Sequence, residues 1–109
     1  MLAKQNRLTT HEFNTAFKNG RRFHGELATM LYMPSTTVKA AVVVSGKTTN
    51  IKPVRNKLRR QVYEIVRASQ KVAPRTGTYI FLLKKEALRA NYATLSQSIT
   101  KLLAKQLNT

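Results

Sequence analysis

The stretch VRNKLRRQVYEIVR, residues 54–67, leaves little choice of conformation. At 100° per residue, Val54, Leu58, Val62, Ile65 and Val66 fall within an arc of roughly 120°, a stripe that only a helix collects on one side. Pro53 suits the first helical position, and the periodicity continues to about Ser69. Such a helix must lie on an apolar surface, which the rest of the chain has to supply. Arg59, Tyr63, Asn56, Arg67 and Arg60 gather on the opposite side, and Arg55 takes the shoulder beside the apolar arc.

The cations of this helix are poorly served by their own surroundings. Among Lys52, Arg55, Lys57, Arg59, Arg60 and Arg67, only Glu64 offers an opposite charge, so the mixed-sign pairs of an ordinary solvated face cannot form. Lys52, Arg55 and Lys57 occupy the first turn or so, where the helix dipole is positive and each cation costs about 0.3–1 kcal/mol. Helix N-terminal amides flanked by arginine make a ready phosphate site, and the arrangement points to docking on a nucleic-acid backbone. The whole chain agrees: 20 Lys and Arg against 4 Glu and no Asp give a formal charge of +16 in 109 residues. The cations run from Lys4 to Lys105, so they are no mere tail. Self-repulsion on that scale calls for a polyanionic partner, and nucleic acid is favoured over an anionic membrane surface or an acidic protein.

The remaining segments read as the surface under the helix. Thr9 with Glu12 forms a capping-box pattern, and Leu8 with Phe13 takes the staple positions, predicting a helix from about Thr10 to Lys18. Phe13, Ala16 and Phe17 share one side of it, and Gly20 stands where a left-handed cap would be. GELATMLYMP and VKAAVVVSG are β-rich and separated by PSTT, so they read as an antiparallel pair, with Leu27, Thr29, Leu31 and Met33 facing one way and Ala28, Met30 and Tyr32 the other. GTYIFLLK is a third strand. Leu88, Tyr92, Leu95, Ile99, Leu102 and Leu103 mark a closing helix, with Asn91 its candidate cap. No repeat or linker interrupts the chain, so the reading is one α+β domain, residues 1–109, in the order αββαβα.

Chemistry of its own is hard to find in this chain. Glu12, Glu26, Glu64 and Glu86 lie singly on four different elements, which disfavours an autonomous metal-dependent nuclease. His11 and His24 have no context that supports acid–base cleavage of RNA. SGKTT resembles the end of a phosphate-binding loop, but the glycine required five residues before Gly46 is Ala41. With no cysteine there is neither disulfide nor thiolate metal site, which fits a reducing cytoplasm. MLAKQNRLTT lacks the apolar stretch of an export signal, and AAVVV and YIFLL are too short to cross a bilayer, so a cytoplasmic location without membrane contact is expected. Phe13, Phe17 and Tyr32 could stack on unpaired bases, at about 1–3 kcal/mol each, or pack in a small core.

VRNKLRRQVYEIVR resembles the signature helix of the bacterial ribonuclease P protein component, whose motif is Arg-Asn-Arg followed by further basic residues. NRLTTHEFNTAFKNGRRF is similar to that family's first helix, and LYM, AVVVSGK and the Leu-rich last helix follow in its order, over about the whole chain. The resemblance implies a single-domain sandwich like domain 2 of ribosomal protein S5, with a left-handed βαβ crossover, an uncommon handedness. It also implies the protein subunit of a ribonucleoprotein. In that particle a catalytic RNA with Mg²⁺ hydrolyses a phosphodiester of precursor tRNA, removing the 5′ leader and leaving a 5′ phosphate.

Neither a catalytic residue nor a metal site is then expected in this chain; the partners the resemblance implies are the catalytic RNA and precursor tRNA, and a protein oligomer is not predicted. Carried over by position, Arg55, Asn56, Lys57, Arg59 and Arg60, with Lys52 and Lys47 beside them, contact the RNA. Phe13, Phe17 and Tyr32 line the cleft for the single-stranded leader. The chain departs from the pattern at Lys57, which keeps charge but lacks the planar fork of arginine. It departs again at Tyr63, where the family often has a basic residue, and in a loop, GKTTNIKP, about one residue longer. A ribosomal or ribosome-associated RNA-binding structural protein shares the fold type and charge; the Phe13, Phe17 and Tyr32 set distinguishes the two readings.

Overall fold

The structure, a computed structural model, describes residues 8–107; residues 1–7, read above for an export signal, lie outside the described residues. The elements are α1 (Thr10–Asn19), β1 (Arg21–His24), β2 (Ala28–Met33), β3 (Val38–Val43), α2 (Lys52–Val72), β4 (Gly77–Leu83) and α3 (Tyr92–Leu107), with a 3-10 turn at Lys85–Arg89. The four strands form one sheet in the order β1-β2-β4-β3. β2 runs antiparallel to both β1 and β4, while β3 runs parallel to β4, so α2 is the crossover between adjacent parallel strands.

Two expectations are corrected here. The chain order is αβββαβα, because Arg21–His24 is a strand of its own. β2 and β3 are also not a pair: β4 enters between them, hydrogen-bonded to each. The reason lies in β4 itself, GTYIFLL, which is buried along almost its whole length and so takes the centre of the sheet. PSTT then spans two strand spacings, roughly 10 Å, a distance that four residues bridge easily.

The sheet is covered on both faces. On one, Phe23, Ala28, Met30, Ala40, Val42, Tyr79, Phe81 and Leu83 meet Leu58, Val62, Ile65 and Val66 of α2 and Leu95, Ile99, Leu102 and Leu103 of α3. Each fully buried aliphatic or aromatic side chain there contributes about 1.5–3 kcal/mol. On the other face the cover among the described residues comes from α1: Ala16 seals Leu31 and Ile80, and Leu8, Phe13, Met33, Ala41, Val43 and Leu82 stay partly exposed around them. Period-two alternation thus divides β2 as read from the sequence between Ala28 and Met33. Leu27, just outside the strand, joins the α2–α3 side instead.

Local signals at the helix ends are mostly as expected. The Thr9 amide donates to Glu12 Oε1 at 2.9 Å and the Glu12 amide to Thr9 Oγ1 at 3.2 Å, completing the capping box. The Thr94 amide donates to Asn91 Oδ1 at 2.8 Å, so Asn91 caps α3, whose first residue is Tyr92. Gly20 differs: its φ of −70° and ψ of 153° are extended and not left-handed. Glycine is needed there for proximity, since a Cβ would stand 2.5 Å from the Ala16 carbonyl oxygen and 3.2 Å from that of Tyr32. The one positive φ among the described residues is at Gly77, at 130°.

Candidate nucleic-acid interface

The basic helix lies on the sheet by the arc its sequence implies. Leu58, Val62, Ile65 and Val66 are buried, and Val54 packs partly buried against the same core. Asn56, Lys57, Arg60 and Arg67 are exposed, as are Lys52 and, in the preceding loop, Lys47. Thr48 fixes that loop by donating its hydroxyl proton to the Leu83 carbonyl at 2.9 Å. Among the described residues the one ion pair is Lys39 with Glu12, so no cation of α2 is neutralised, not even by Glu64.

The buried arc is wider than the apolar residues alone suggest. Arg55, Arg59 and Tyr63, each four residues apart, form a half-buried stripe along the flank of α2. Tyr63 pins this flank to the open edge of β3, its hydroxyl accepting a hydrogen bond from the Val42 amide at 3.3 Å. The tyrosine standing among the basic residues is therefore turned toward the sheet and does not belong to the solvent ridge.

Arg55 is the other departure: its Nε is buried without a hydrogen-bond partner. This arginine stands where α2 begins with no side-chain cap and no acidic residue in its first turn. Unpaired amides, the dipole and Lys52 and Arg55 together make this end strongly attractive to an anion.

On the opposite face, the strip of sheet beside α1 forms a second candidate surface. Strand register places His24, Thr29, Leu82 and Val43 in one row across the sheet, next to the row that Ala16 covers. Phe13, packed against the Ala16 cluster, and Phe17 one turn on are stacked with ring centroids 5.9 Å apart and planes 21° apart. Phe17 is 42% exposed, far more than a core phenylalanine. The Arg22 guanidinium carbon lies 5.4 Å from its ring centroid, a contact worth about 0.5–1 kcal/mol at an exposed site. At the other end of α1, Lys39 reaches from β3 to Glu12. The lysine's hydrogen bond, and next the Thr9 amide, hold the Glu12 carboxyl at about 2, below its ordinary 4.5.

Tyr32 is not part of this strip, which corrects its grouping with Phe13 and Phe17. It alternates with Leu31 and Met33, so its ring turns to the α2–α3 side, 5.2 Å from that of Tyr79 and over Gly77. Two contributors escaped sequence reading, Arg22 and Lys39. The only hint of Arg22 was an arginine two residues beyond Gly20, meaningful once RRFH is known to be a strand. Among the described residues no group of three or more His or Glu side chains could hold a metal ion. No helix among them is long and apolar enough to cross a membrane.

Fold and surface together define a small α+β protein with a mixed sheet, one heavily basic helix with no ion-paired cation among the described residues, and a stacked pair of phenylalanines on the helix of the far face. A family model described as Ribonuclease P matches residues 2–107. The chain is 29% identical over 97 residues to the "Ribonuclease P protein component" of Caldanaerobacter subterraneus subsp. tengcongensis, covering 88% of this chain and 84% of that one. It is 27% identical over 95 residues to the protein of the same description from a Nitratiruptor species, covering 87% and 85%. The RNase P protein from Thermotoga maritima superposes with a TM-score of 0.80 at 25% identity, covering 91% of this chain and 96% of that one. A Staphylococcus aureus RNase P protein mutant shares the fold, with a TM-score of 0.85 at 17% identity over 94% and 89%.

This chain belongs to the ribonuclease P protein family, the protein components of a tRNA-processing ribonucleoprotein. Its partner in that particle is ribonuclease P RNA.

Proposed function

We propose that α2 and the loop before it dock on the catalytic RNA of ribonuclease P, and that the strip beside α1 receives the 5′ leader of precursor tRNA. The RNA carries out the endonucleolytic hydrolysis. The observation that carries this reading is the ridge of α2: Lys52, Asn56, Lys57 and Arg60 exposed, Arg55 and Arg59 on its flank, and, among the described residues, no carboxylate paired with any of them. Phosphates supply the missing counter-charge through charge-assisted, often bidentate hydrogen bonds. Phe13 and Phe17 supply π faces on which leader bases stack without sequence preference.

The four glutamates do not fit a Mg²⁺ site of the protein's own. Glu12 is engaged by Lys39, and no described carboxylates converge. In this reading Mg²⁺ acts through the RNA, and the chain's contribution is to hold two polyanions in register by lowering their repulsion. A lower Mg²⁺ requirement is the direct consequence.

Reconstitution with the cognate RNA tests this. Leader cleavage at low Mg²⁺ is expected to depend on the protein, and leader-bearing substrate is expected to bind more tightly when it is present. A holoenzyme whose Mg²⁺ requirement and substrate affinity match those of the RNA alone would overturn the proposal.

A further inference from the structure

Resting on the leader assignment above, we infer that Arg22 is a phosphate-seating residue parked on the Phe17 ring: leader binding moves its guanidinium to a phosphate while a base takes its place on the ring. Arg22 is exposed and pairs in register with Leu31, which places it on the α1 side of the sheet, beside Phe17. β1 is an edge strand, so nothing in the sheet flanks Arg22 on its outer side. Lys39, the other strand cation on this face, is held by Glu12, and among the described residues no carboxylate pairs with Arg22. Of the two described strand lysine and arginine side chains on this face, the one left to meet a phosphate therefore lies against the aromatic ring that a base would need.

The chemistry makes the exchange favourable. A guanidinium over an exposed ring is held weakly by the ring quadrupole, whereas a phosphate accepts two parallel hydrogen bonds from the same fork. The departing cation uncovers a π face, and a nucleotide brings its base and its phosphate together. Arginine suits both states because it stacks as a plane and binds phosphate as a fork. Lysine does the second only as a point charge.

The test uses holoenzyme reconstituted with the catalytic RNA, comparing precursor tRNA with leaderless tRNA across a salt series for the wild type, Arg22→Gln and Arg22→Lys. Arg22→Gln is expected to bind leader-bearing substrate about tenfold more weakly, the loss of one charged hydrogen-bonding contact. Its log K against log salt slope should flatten by about 0.7, one single-strand phosphate, while leaderless binding stays at the wild-type value. Arg22→Lys should keep the slope and recover only part of the affinity. Wild-type holoenzyme without preference for the leader would sink the leader assignment itself. If that preference is present, wild-type affinity and slope in Arg22→Gln would overturn the role of Arg22 alone, as would an equal loss on both substrates.

Discussion

The hydroxyl of Tyr63 on α2 accepts a hydrogen bond from the backbone amide of Val42 on β3, 3.3 Å away, and so joins the basic helix to the open edge of the sheet. Tyr63→Phe removes that bond without changing charge or volume appreciably. Stability should fall by about 1 kcal/mol, seen as a lower denaturation midpoint at unchanged slope. The salt dependence of RNA binding should stay as in the wild type, because no phosphate contact is lost. A flattened salt slope would place Tyr63 on the RNA-facing ridge instead.

The start of α1 is predicted to be acid-sensitive. Glu12 titrates at about 2 in the fold and near 4.5 when free of its partners, so its contribution to stability is complete above 4.5 and is lost as pH falls through about 2. Glu12→Gln should remove this part of the acid unfolding profile. Thr9→Ala should cost about 1 kcal/mol at neutral pH by exposing the first-turn amides. Chemical denaturation of both variants from pH 2 to 7 provides the check, and a Glu12→Gln profile parallel to the wild type throughout would refute it.

Arg59 lies half-buried on the flank of the α2 ridge and Arg60 exposed upon it. Changing both to alanine should weaken RNA binding and flatten the salt slope by about 0.7–0.9 for each phosphate contact removed. Binding measured by filter retention over a salt series decides the matter. An unaltered slope would return the pair to an ordinary solvated face.

Gly77 opens β4 at a φ of 130°, and the Tyr32 ring lies where its Cβ would project. Gly77→Ala meets both backbone strain and that ring, and should destabilise by about 1–3 kcal/mol. Pairing it with Tyr32→Leu should recover the steric part but not the backbone part. Full recovery in the double variant, read from thermal midpoints, would show the dihedral to be harmless.

Much of the architecture is legible in local pattern. The arc of α2, the Thr9–Glu12 box, the Asn91 cap and the alternation of β2 each follow from a period or an end signal within a few residues. What is not legible is non-local. RRFH is four residues with two cations and carries no strand signal until β2 offers it a partner. A polar turn between two β-rich runs reads as a hairpin, and only the apolar character of β4 on both faces reveals that it displaces β3 from β2. The candidate site divides the same way. The exposed side of Asn56, Arg60 and Arg67 follows from the helical period, while the side chosen by Tyr32 and the reach of Arg22 to Phe17 depend on register. Family resemblance supplied the leader and the RNA, which no spacing of residues contains.

The sheet order has a consequence for how the chain is made. β2 and β3 are both complete by Val43, yet each finds its inner neighbour in β4, which ends at Leu83. During synthesis the amino-terminal half can form no more of the sheet than the β1–β2 hairpin, and α2 has no finished surface to rest on. Until β4 clears the ribosome, the nascent chain is a strongly cationic segment with its strand edges open, tethered beside a particle made largely of RNA. Completion of the sheet is thereby held back until β4, the last strand among the described elements, has been made.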